Sequence, residues 1–336
     1  MHWREIQGQS TAIDMLRRAA ARGRLAHGYL FLGPAGIGKR QVARTLAQAL
    51  FCPRSGEELE PCGECPACRQ VQAGSHPDLF EIGCPEGKRE LPIDLIAGAK
   101  DKRGREGLCH DITLRPMSAD RRVAIIDDAH TMNEESANAL LKTLEEPPEG
   151  SILILISPEL EPILPTIRSR CQPLWFAPLP LPLVESLLRE ADPQLDPAAA
   201  AAAARLSGGS LDTARRLLDP ALAALRSTIR SGLARPALDG GALHTAVLEI
   251  VEQGADTAAQ REFAGWAIQM AIEHYREVLA ADAADPYDAC DRAAAGLNRC
   301  IDAAGHLHQS MPASLCLAGL FDDLARVGRT GATAFS

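Results

Sequence analysis

Apolar residues in the first half of the chain follow two different spacings. Short continuous apolar runs, typical of buried strands, occupy residues 28–33, 123–127 and 151–157. Around them, apolar side chains recur at helical spacing in residues 11–22, 39–51 and 133–146. Buried strands that alternate with helices predict a parallel sheet covered on both faces, which is an α/β fold.

The pattern changes at the run Pro178-Leu-Pro-Leu-Pro182, which predicts a linker. The rest of the chain is rich in Ala and Leu and predicts helices only, at 183–191, 196–206, 210–218, 258–281 and 289–308 among others. We therefore expect an α/β domain with a cysteine-rich insertion, then a small helical domain, then a larger helical domain. Their predicted ranges are 1–178 with the insertion at 52–68, 179–219, and 220–336.

Composition narrows the class of protein. No run of apolar residues is long enough for a transmembrane helix, and the first residues lack the charged and apolar regions of a signal peptide. We expect a cytoplasmic protein without a membrane partner. The formal net charge is -9, and residues 219–336 hold 15 acidic residues against nine arginines and no lysine. Such a surface is poorly suited to coat DNA, so DNA would be reached through partners.

A glycine-rich segment, Gly33-Pro-Ala-Gly36-Ile-Gly38-Lys39, follows a predicted strand and opens a predicted helix. This is the context of a phosphate-binding loop, in which backbone N–H groups and the lysine contact phosphate oxygens. The next residue is Arg40, where the motif has a Ser or Thr that ligates Mg²⁺. A guanidinium has no lone pair to offer a metal ion.

Two acidic residues follow the next predicted strand and resemble a Walker B element. Asp127 stands where a carboxylate helps to hold Mg²⁺, and Asp128 stands at the position of the catalytic glutamate but is one methylene shorter. We hypothesise that Arg40 pairs with Asp127 and occupies the vacant metal position. ATP hydrolysis is then not expected, whereas binding of ATP or ADP through Lys39 and the glycines stays open.

Four of the ten cysteines, Cys52, Cys62, Cys65 and Cys68, have the spacing of metal ligands. Four thiolates suit a closed tetrahedral zinc site, and the absence of a neighbouring acid or base makes a structural role the expectation. An iron–sulfur cluster and free thiols are the alternatives. The remaining six cysteines are scattered, and we interpret them as packing residues.

These motifs, taken in order, resemble those of bacterial clamp-loader subunits, which are AAA+ proteins. The resemblance rests on the phosphate loop, the four-cysteine insertion after its helix, and three further blocks. The blocks are His76-Pro77-Asp78, the stretch 137–148 (ANALLKTLEEPP), and Ser169-Arg170-Cys171. It covers nearly all of residues 1–218, and the C-terminal third matches only in its helical character. The family implies an AAA+ domain, a helical lid and a helical collar.

Within this family, the ATPase subunits gamma and tau have an intact loop, whereas the delta-prime type has degraded nucleotide motifs. Arg40, Asp128 and Asp212 are the departures that make this chain resemble the delta-prime type. Asp212 stands where the ATPase subunits carry a sensor-2 arginine. Ser157 matches the sensor-1 position and keeps a hydroxyl, so it does not discriminate.

The resemblance implies that Arg170 is an arginine finger that projects toward the γ-phosphate held by a neighbouring subunit. Arg168 would support it. The implied partners are gamma/tau and delta in a hetero-pentamer, with the sliding clamp and primed DNA reached through that complex. The chain would belong to the DNA polymerase III holoenzyme without polymerase chemistry of its own.

One alternative is an active gamma/tau-type ATPase. Another, a zinc-dependent DNA-binding regulator, is disfavoured by the acidic balance.

Overall fold

The structure is a computed structural model, and it describes residues 2–56, 58–85, 88, 90–235, 237–254, 256–281, 288–309 and 311–329. By its internal contacts the chain divides into two compact units. The first comprises Met1–Ala191 and Gly208–Thr213, and the second comprises Asp192–Ser207 and Ala214–Ser336. The division into three domains at 178 and 219 stays a prediction.

A five-stranded parallel sheet forms the centre of the first unit, in the order β2-β3-β4-β1-β5. Its strands are β1 (Gly28–Leu32), β2 (Leu79–Ile82), β3 (Val123–Ile126), β4 (Ile152–Ser157) and β5 (Gln172–Trp175). The helices are α1 (Ser10–Ala21), α2 (Lys39–Phe51), α3 (Pro66–Gln72), α4 (Ile93–Ala97), α5 (Leu108–Asp111), α6 (Glu134–Glu145), α7 (Pro165–Arg168) and α8 (Leu181–Ala191). The predicted α/β fold is confirmed.

The three strands that were predicted, β1, β3 and β4, are buried along their whole length. Helices therefore cover both faces of the sheet, as continuous apolar runs require. Leu30, Ile126 and Leu153 from these strands pack in one core with Leu140 and Leu144 of α6. This core fixes the strand ends, and the strand ends position the candidate site.

The two edges of the sheet carry different residues. Leu32 of β1 is in register with Ser157 of β4, so Ser157 and the segment after β1 share the carboxyl edge of the sheet. Asp127 directly follows β3 and lies at the same edge. Arg170 precedes β5 and so lies at the opposite, amino edge. A β-carbon added to Gly28, the first residue of β1, would stand 3.2 Å from the Arg170 carbonyl oxygen.

The second unit is helical in the residues that the structure describes. It contains α9 (Pro197–Leu206), α11 (Pro220–Leu233), α12 (Gly240–Val251), α13 (Thr257–Ala281), α14 (Asp288–His308) and α15 (Ala313–Arg329). The short α10 (Leu211–Arg216) begins in the first unit and ends in the second. The buried residues of the second unit include Ala267, Ala271, Leu317 and Phe321. Over the described ranges, no helix combines the length and apolar character needed to cross a membrane.

Two strands and one boundary differ from the sequence predictions. β2 and β5 were not predicted, because Glu81 interrupts the first and Pro173 the second. A proline is tolerated in β5 because that strand lies at the edge of the sheet. Helix α8 begins at Leu181, inside the run predicted as a linker. Pro182 lies in the first turn of the helix, where a proline costs no intrahelical hydrogen bond.

Candidate nucleotide site, cysteine cluster and Arg170

The loop after β1 has the backbone of a phosphate-binding loop. Gly36 and Gly38 adopt φ values of +69° and +96°, which residues with a β-carbon rarely adopt. The buried Lys39 ammonium donates hydrogen bonds to the carbonyl oxygens of Gly33 and, at 2.6 Å, Pro34. Burial lowers the pKa of Lys39 to about 8, although nearby carboxylates act in the opposite direction. The ammonium is therefore still mostly protonated at neutral pH.

Arg40 contacts two carboxylates beside this loop. Its Nη2 lies 3.1 Å from Glu81 Oε2, and its Nη1 lies 3.7 Å from Asp127 Oδ2. Glu81 also contacts Arg44, with 2.9 Å between its Oε1 and the Arg44 Nε. The hypothesised pair of Arg40 with Asp127 is thus present, but Glu81 on β2 is the nearer partner. Two arginines and two acids form a charge network at the position where the motif has a hydroxyl.

The two acids after β3 lie close to each other. Burial raises the pKa of Asp127, the neighbouring Asp128 charge raises it further, and a hydrogen bond from the Asp128 N–H together with Arg40 and Lys39 lowers it. That N–H lies 3.0 Å from Asp127 Oδ1. Asp128 itself has a φ of +53°, in the left-handed region that few residues other than glycine adopt. The chain therefore turns sharply directly after Asp127.

Two further predicted residues lie near the glycine-rich loop: Ser157 at the same carboxyl edge of the sheet, and Asp212 beside the loop itself. The Ser157 hydroxyl is buried and donates to the Glu159 carbonyl oxygen at 2.5 Å, so its own loop already uses it. The Leu211 N–H donates to the Gly36 carbonyl oxygen at 3.0 Å. A β-carbon on Gly36 would stand 2.8 Å from the Asp212 β-carbon. Asp212, predicted to stand at the sensor-2 position, therefore lies beside the glycine-rich loop.

The four cysteines predicted as ligands, Cys52, Cys62, Cys65 and Cys68, form one cluster, which we call the cysteine cluster. Their sulfur atoms all lie within 4.8 Å of one another. The Cys62–Cys68 and Cys52–Cys65 sulfur pairs are 4.0 and 3.9 Å apart. A tetrahedron of zinc–sulfur bonds of about 2.3 Å has sulfur–sulfur edges of about 3.8 Å, so the arrangement fits zinc closely.

Backbone N–H groups lie close to the sulfur atoms of the cysteine cluster. The N–H groups of Cys62, Cys65 and Cys68 each lie 3.4 Å from the sulfur of another cluster cysteine. Hydrogen bonds from the N–H groups of Glu64 and Cys65 lower the pKa of Cys62 to about 6. Burial raises the pKa of Cys68 to about 12. The cluster lies in a loop-rich insertion, and its four cysteines would fill all four positions of a tetrahedral ion, which suits a structural role.

Asp78 of the His76-Pro77-Asp78 block is a buried structural acid. Its carboxylate accepts hydrogen bonds from the N–H groups of Met117, Ser118 and Ala119 at 2.7, 2.8 and 3.0 Å. Arg122 Nε lies 3.5 Å from the same carboxylate. Burial raises the pKa of Asp78, but the hydrogen bonds outweigh burial and leave the pKa below its ordinary value. The acid therefore ties the loop before β3 to the start of β2.

Arg170 lies far from the loop of its own chain. Its Nη2 lies 2.7 Å from Glu145 Oε1, and its Nη1 donates to the Thr166 carbonyl oxygen at 2.9 Å. Gly28 lies beside Arg170 and precedes Gly33 by the five residues of β1, which span roughly 16 Å. By contrast, the Arg168 guanidinium donates to the carbonyl oxygens of Ile163 and Glu161 at 2.6 and 2.5 Å. Arg168 therefore stabilises its own loop.

The structure brings most of the predicted nucleotide-site residues to one edge of the sheet and Arg170 to the other. Sequence reasoning missed Glu81, Arg44 and Glu145. Glu81 lies on a strand with no apolar run, and Glu145 belongs to a helix whose sequence shows no sign of its contact with Arg170. Glu145 does lie in the block 137–148 that carries the family resemblance, but nothing in that block predicts its contact with Arg170.

Comparison with known proteins identifies the family. The sequence model of the family described as DNA polymerase III, delta subunit, matches residues 8–180, and the chain belongs to this family. It is 36% identical over 213 residues to the DNA polymerase III subunit delta' of Pseudomonas aeruginosa, covering 63% of this chain and 62% of that protein. The resemblance to clamp-loader subunits, inferred from the motifs, is confirmed.

Other relatives include both types of subunit. The chain is 34% identical over 193 residues to subunit delta' of Bacillus subtilis, covering 56% of this chain and 54% of that protein. It is also 34% identical over 223 residues to subunit tau of Escherichia coli, covering 65% of this chain and 33% of that protein. The chain thus spans less than two thirds of the length of these relatives.

Proposed function

We propose that this chain is a delta-prime subunit of the bacterial DNA polymerase III clamp loader. In this role it does not hydrolyse ATP, and it presents Arg170 to the nucleotide of a neighbouring gamma/tau ATPase. The observation that carries the proposal is the position of Arg170 at the amino edge of the sheet, with its own phosphate loop at the carboxyl edge. An arginine held there reaches a γ-phosphate only across a subunit boundary.

The charge network beside the loop supports the lack of hydrolysis. Arg40 replaces the hydroxyl that ligates Mg²⁺ and lies within 3.7 Å of the Asp127 carboxylate. A divalent cation bound by Asp127 would meet a guanidinium instead of a ligand. The residues at this position therefore do not fit Mg²⁺, whereas Lys39 and the loop glycines still suit phosphate.

An active gamma/tau-type ATPase is the second candidate. The intact glycines, the buried Lys39 and the identity to a tau subunit favour it. It differs from the first candidate in one measurable property, which is ATP turnover by the purified chain. The charge network around Arg40 is the reason that we place it second.

The proposed assembly follows from the family. The partners are the delta and gamma/tau subunits in a cytoplasmic hetero-pentamer, held together by the collar formed by the helices of residues 220–336. The complex would place the sliding clamp on primed DNA during replication. Zinc would act as a structural ion in the insertion at residues 52–68, and ATP or ADP binding to the loop is not required for this role.

Reconstitution with candidate delta and gamma/tau subunits tests the proposal. We expect co-purification and clamp loading that depends on this chain. Arg170→Ala should assemble normally but remove most of the DNA-stimulated ATP turnover at the site that it faces, because arginine fingers contribute about 10³–10⁵ in rate. Arg170→Lys should recover little, since a lysine lacks the planar fork. Normal clamp loading by Arg170→Ala would contradict the proposal.

A further inference from the structure

The last residue of α6 holds the Arg170 side chain. Glu145 Oε1 lies 2.7 Å from Arg170 Nη2, while Arg170 Nη1 contacts the Thr166 carbonyl oxygen at 2.9 Å and the Ser169 hydroxyl at 3.1 Å. The two charged side chains are 49% and 34% exposed for Glu145 and Arg170. Both Nη atoms therefore have acceptors from the same chain, while about a third of the Arg170 side chain stays exposed to solvent.

Glu145 is an acidic residue at the carboxyl end of α6, where a negative charge is unfavourable. The carboxyl end of a helix carries partial negative charge, so an acidic residue in the last turn is unfavourable there. Glu145 and Glu146 nevertheless follow one another at the end of α6. The ion pair with Arg170 gives Glu145 a favourable interaction that offsets this cost, whereas Glu146 has no ion pair with Arg170 among the contacts described here.

We propose that Glu145 is a positioning residue for Arg170 that restrains it until a neighbouring subunit offers a phosphate. This inference rests on the proposed arginine-finger role. A phosphate that approaches Arg170 competes with the Glu145 carboxylate for the same guanidinium and is repelled by that carboxylate. The pair with Glu145 therefore stabilises Arg170 in the ground state, and it weakens when Arg170 moves to contact the phosphate in the transition state. An interaction that stabilises the ground state more than the transition state slows the reaction.

Neutralising Glu145 should accelerate ATP turnover in the assembled loader. Glu145→Gln keeps the shape of the side chain and removes its charge. Exposed ion pairs are weak, so we expect kcat to rise about two- to fivefold with little change in KM. Glu146→Gln is the matched control, because Glu146 is also an acid that is not buried and lies one residue further on, and it should leave kcat unchanged.

Two further readouts separate restraint from a structural role. The double variant Glu145→Gln/Arg170→Ala should behave as Arg170→Ala alone, because Glu145 acts only through Arg170. The ratio of kcat between Glu145→Gln and the unmodified chain should fall toward one as salt rises, because salt screens an exposed pair. Thermal unfolding of each variant checks that it folds.

The outcomes distinguish this inference from the function on which it rests. A kcat for Glu145→Gln that equals or falls below that of the unmodified chain, with Arg170→Ala strongly impaired, overturns the restraint and leaves the arginine finger intact. If Arg170→Ala itself turns over ATP normally in the loader, both the proposed function and the restraint are wrong. A rise in kcat for Glu146→Gln equal to that for Glu145→Gln also overturns the specific role of Glu145.

Discussion

The Arg40 guanidinium of α2 lies 3.1 Å from the Glu81 carboxylate of β2. Helix α2 follows the phosphate loop, and β2 is a strand that has no apolar run. Glu81 at the same time contacts Arg44 one turn along that helix. One acid therefore contacts two arginines, and the first of them, Arg40, stands where the phosphate-loop motif has a Ser or Thr.

Removal of Glu81 should destabilise the chain more than removal of Arg40. The Glu81 side chain is 19% exposed, and Glu81→Gln leaves the largely covered Arg44 without its counter-charge. We expect a loss of about 1–2 kcal/mol in the free energy of unfolding, between the values for exposed and buried pairs. Arg40 is 57% exposed, so Arg40→Gln should cost only about 0.5 kcal/mol. Urea unfolding measures both, and equal losses would contradict the shared role of Glu81.

The sequence predicted the parts of this site that depend on apolar pattern and glycine spacing. The limits of α2 agree with the predicted 39–51, because helical spacing and a preceding glycine mark them clearly. The loop, Asp127 and Ser157 were each identified by motif, and they lie at one edge because each follows or ends a parallel strand. β2 was missed because four residues with a charge in the middle carry too little pattern. The Arg40–Glu81 pair could not be foreseen without that strand.

Contacts between residues that are distant in the sequence could not be predicted either. Glu145 and Arg170 are 25 residues apart in sequence and meet only because α6 ends beside the start of β5. The four cysteines, by contrast, were predicted to cluster from spacing alone, since short loops keep such ligands near one another. Motifs with local spacing were therefore predictable, and pairs set by the sheet were not.

Asp78→Asn should destabilise the protein in a pH-dependent way. At neutral pH we expect a cost of about 3 kcal/mol, because Arg122 loses its buried counter-charge. The folded-state pKa of Asp78 is depressed, so its contribution is complete above the unfolded value of about 4 and is lost as the pH falls through the lower folded value.

The pH dependence supplies the check for Asp78. The difference in unfolding free energy between the unmodified chain and Asp78→Asn should stay constant from about pH 7 to 5 and shrink below about pH 4. Urea unfolding at each pH measures it. A difference that grows as the pH falls would contradict the assignment of Asp78 as an ionised acceptor of three N–H groups.

Loss of one cysteine of the cysteine cluster should abolish zinc binding. Cys68 is fully buried, and Cys68→Ser should lower the zinc content from about one ion per chain to near zero, with loss of order in the insertion. Cys84→Ser is the control, because Cys84 lies outside the cluster and should keep the metal. Elemental analysis of the purified proteins decides the matter, and a full zinc content in Cys68→Ser would refute the ligand set.

Zinc affinity should increase with pH. Burial holds the pKa of Cys68 at about 12 without metal, so this thiol must release its proton when zinc binds. A higher pH makes that release easier and the apparent affinity greater. Competition with a chelator at about pH 6.5 and about pH 8 measures the change, with proton release followed in parallel. An affinity that is the same at both pH values would show that the cluster does not bind zinc through newly formed thiolates.

Magnesium-dependent ATP turnover by the purified chain alone is the most direct test of the role assigned to Arg40. We expect no turnover above background with or without Mg²⁺, because a guanidinium stands where the metal ligand should be and already contacts Asp127. Lys39→Ala serves as the control for contaminating ATPases. Turnover at about 1 s⁻¹ or faster that requires Mg²⁺ and disappears in Lys39→Ala would contradict the account and favour an active ATPase subunit.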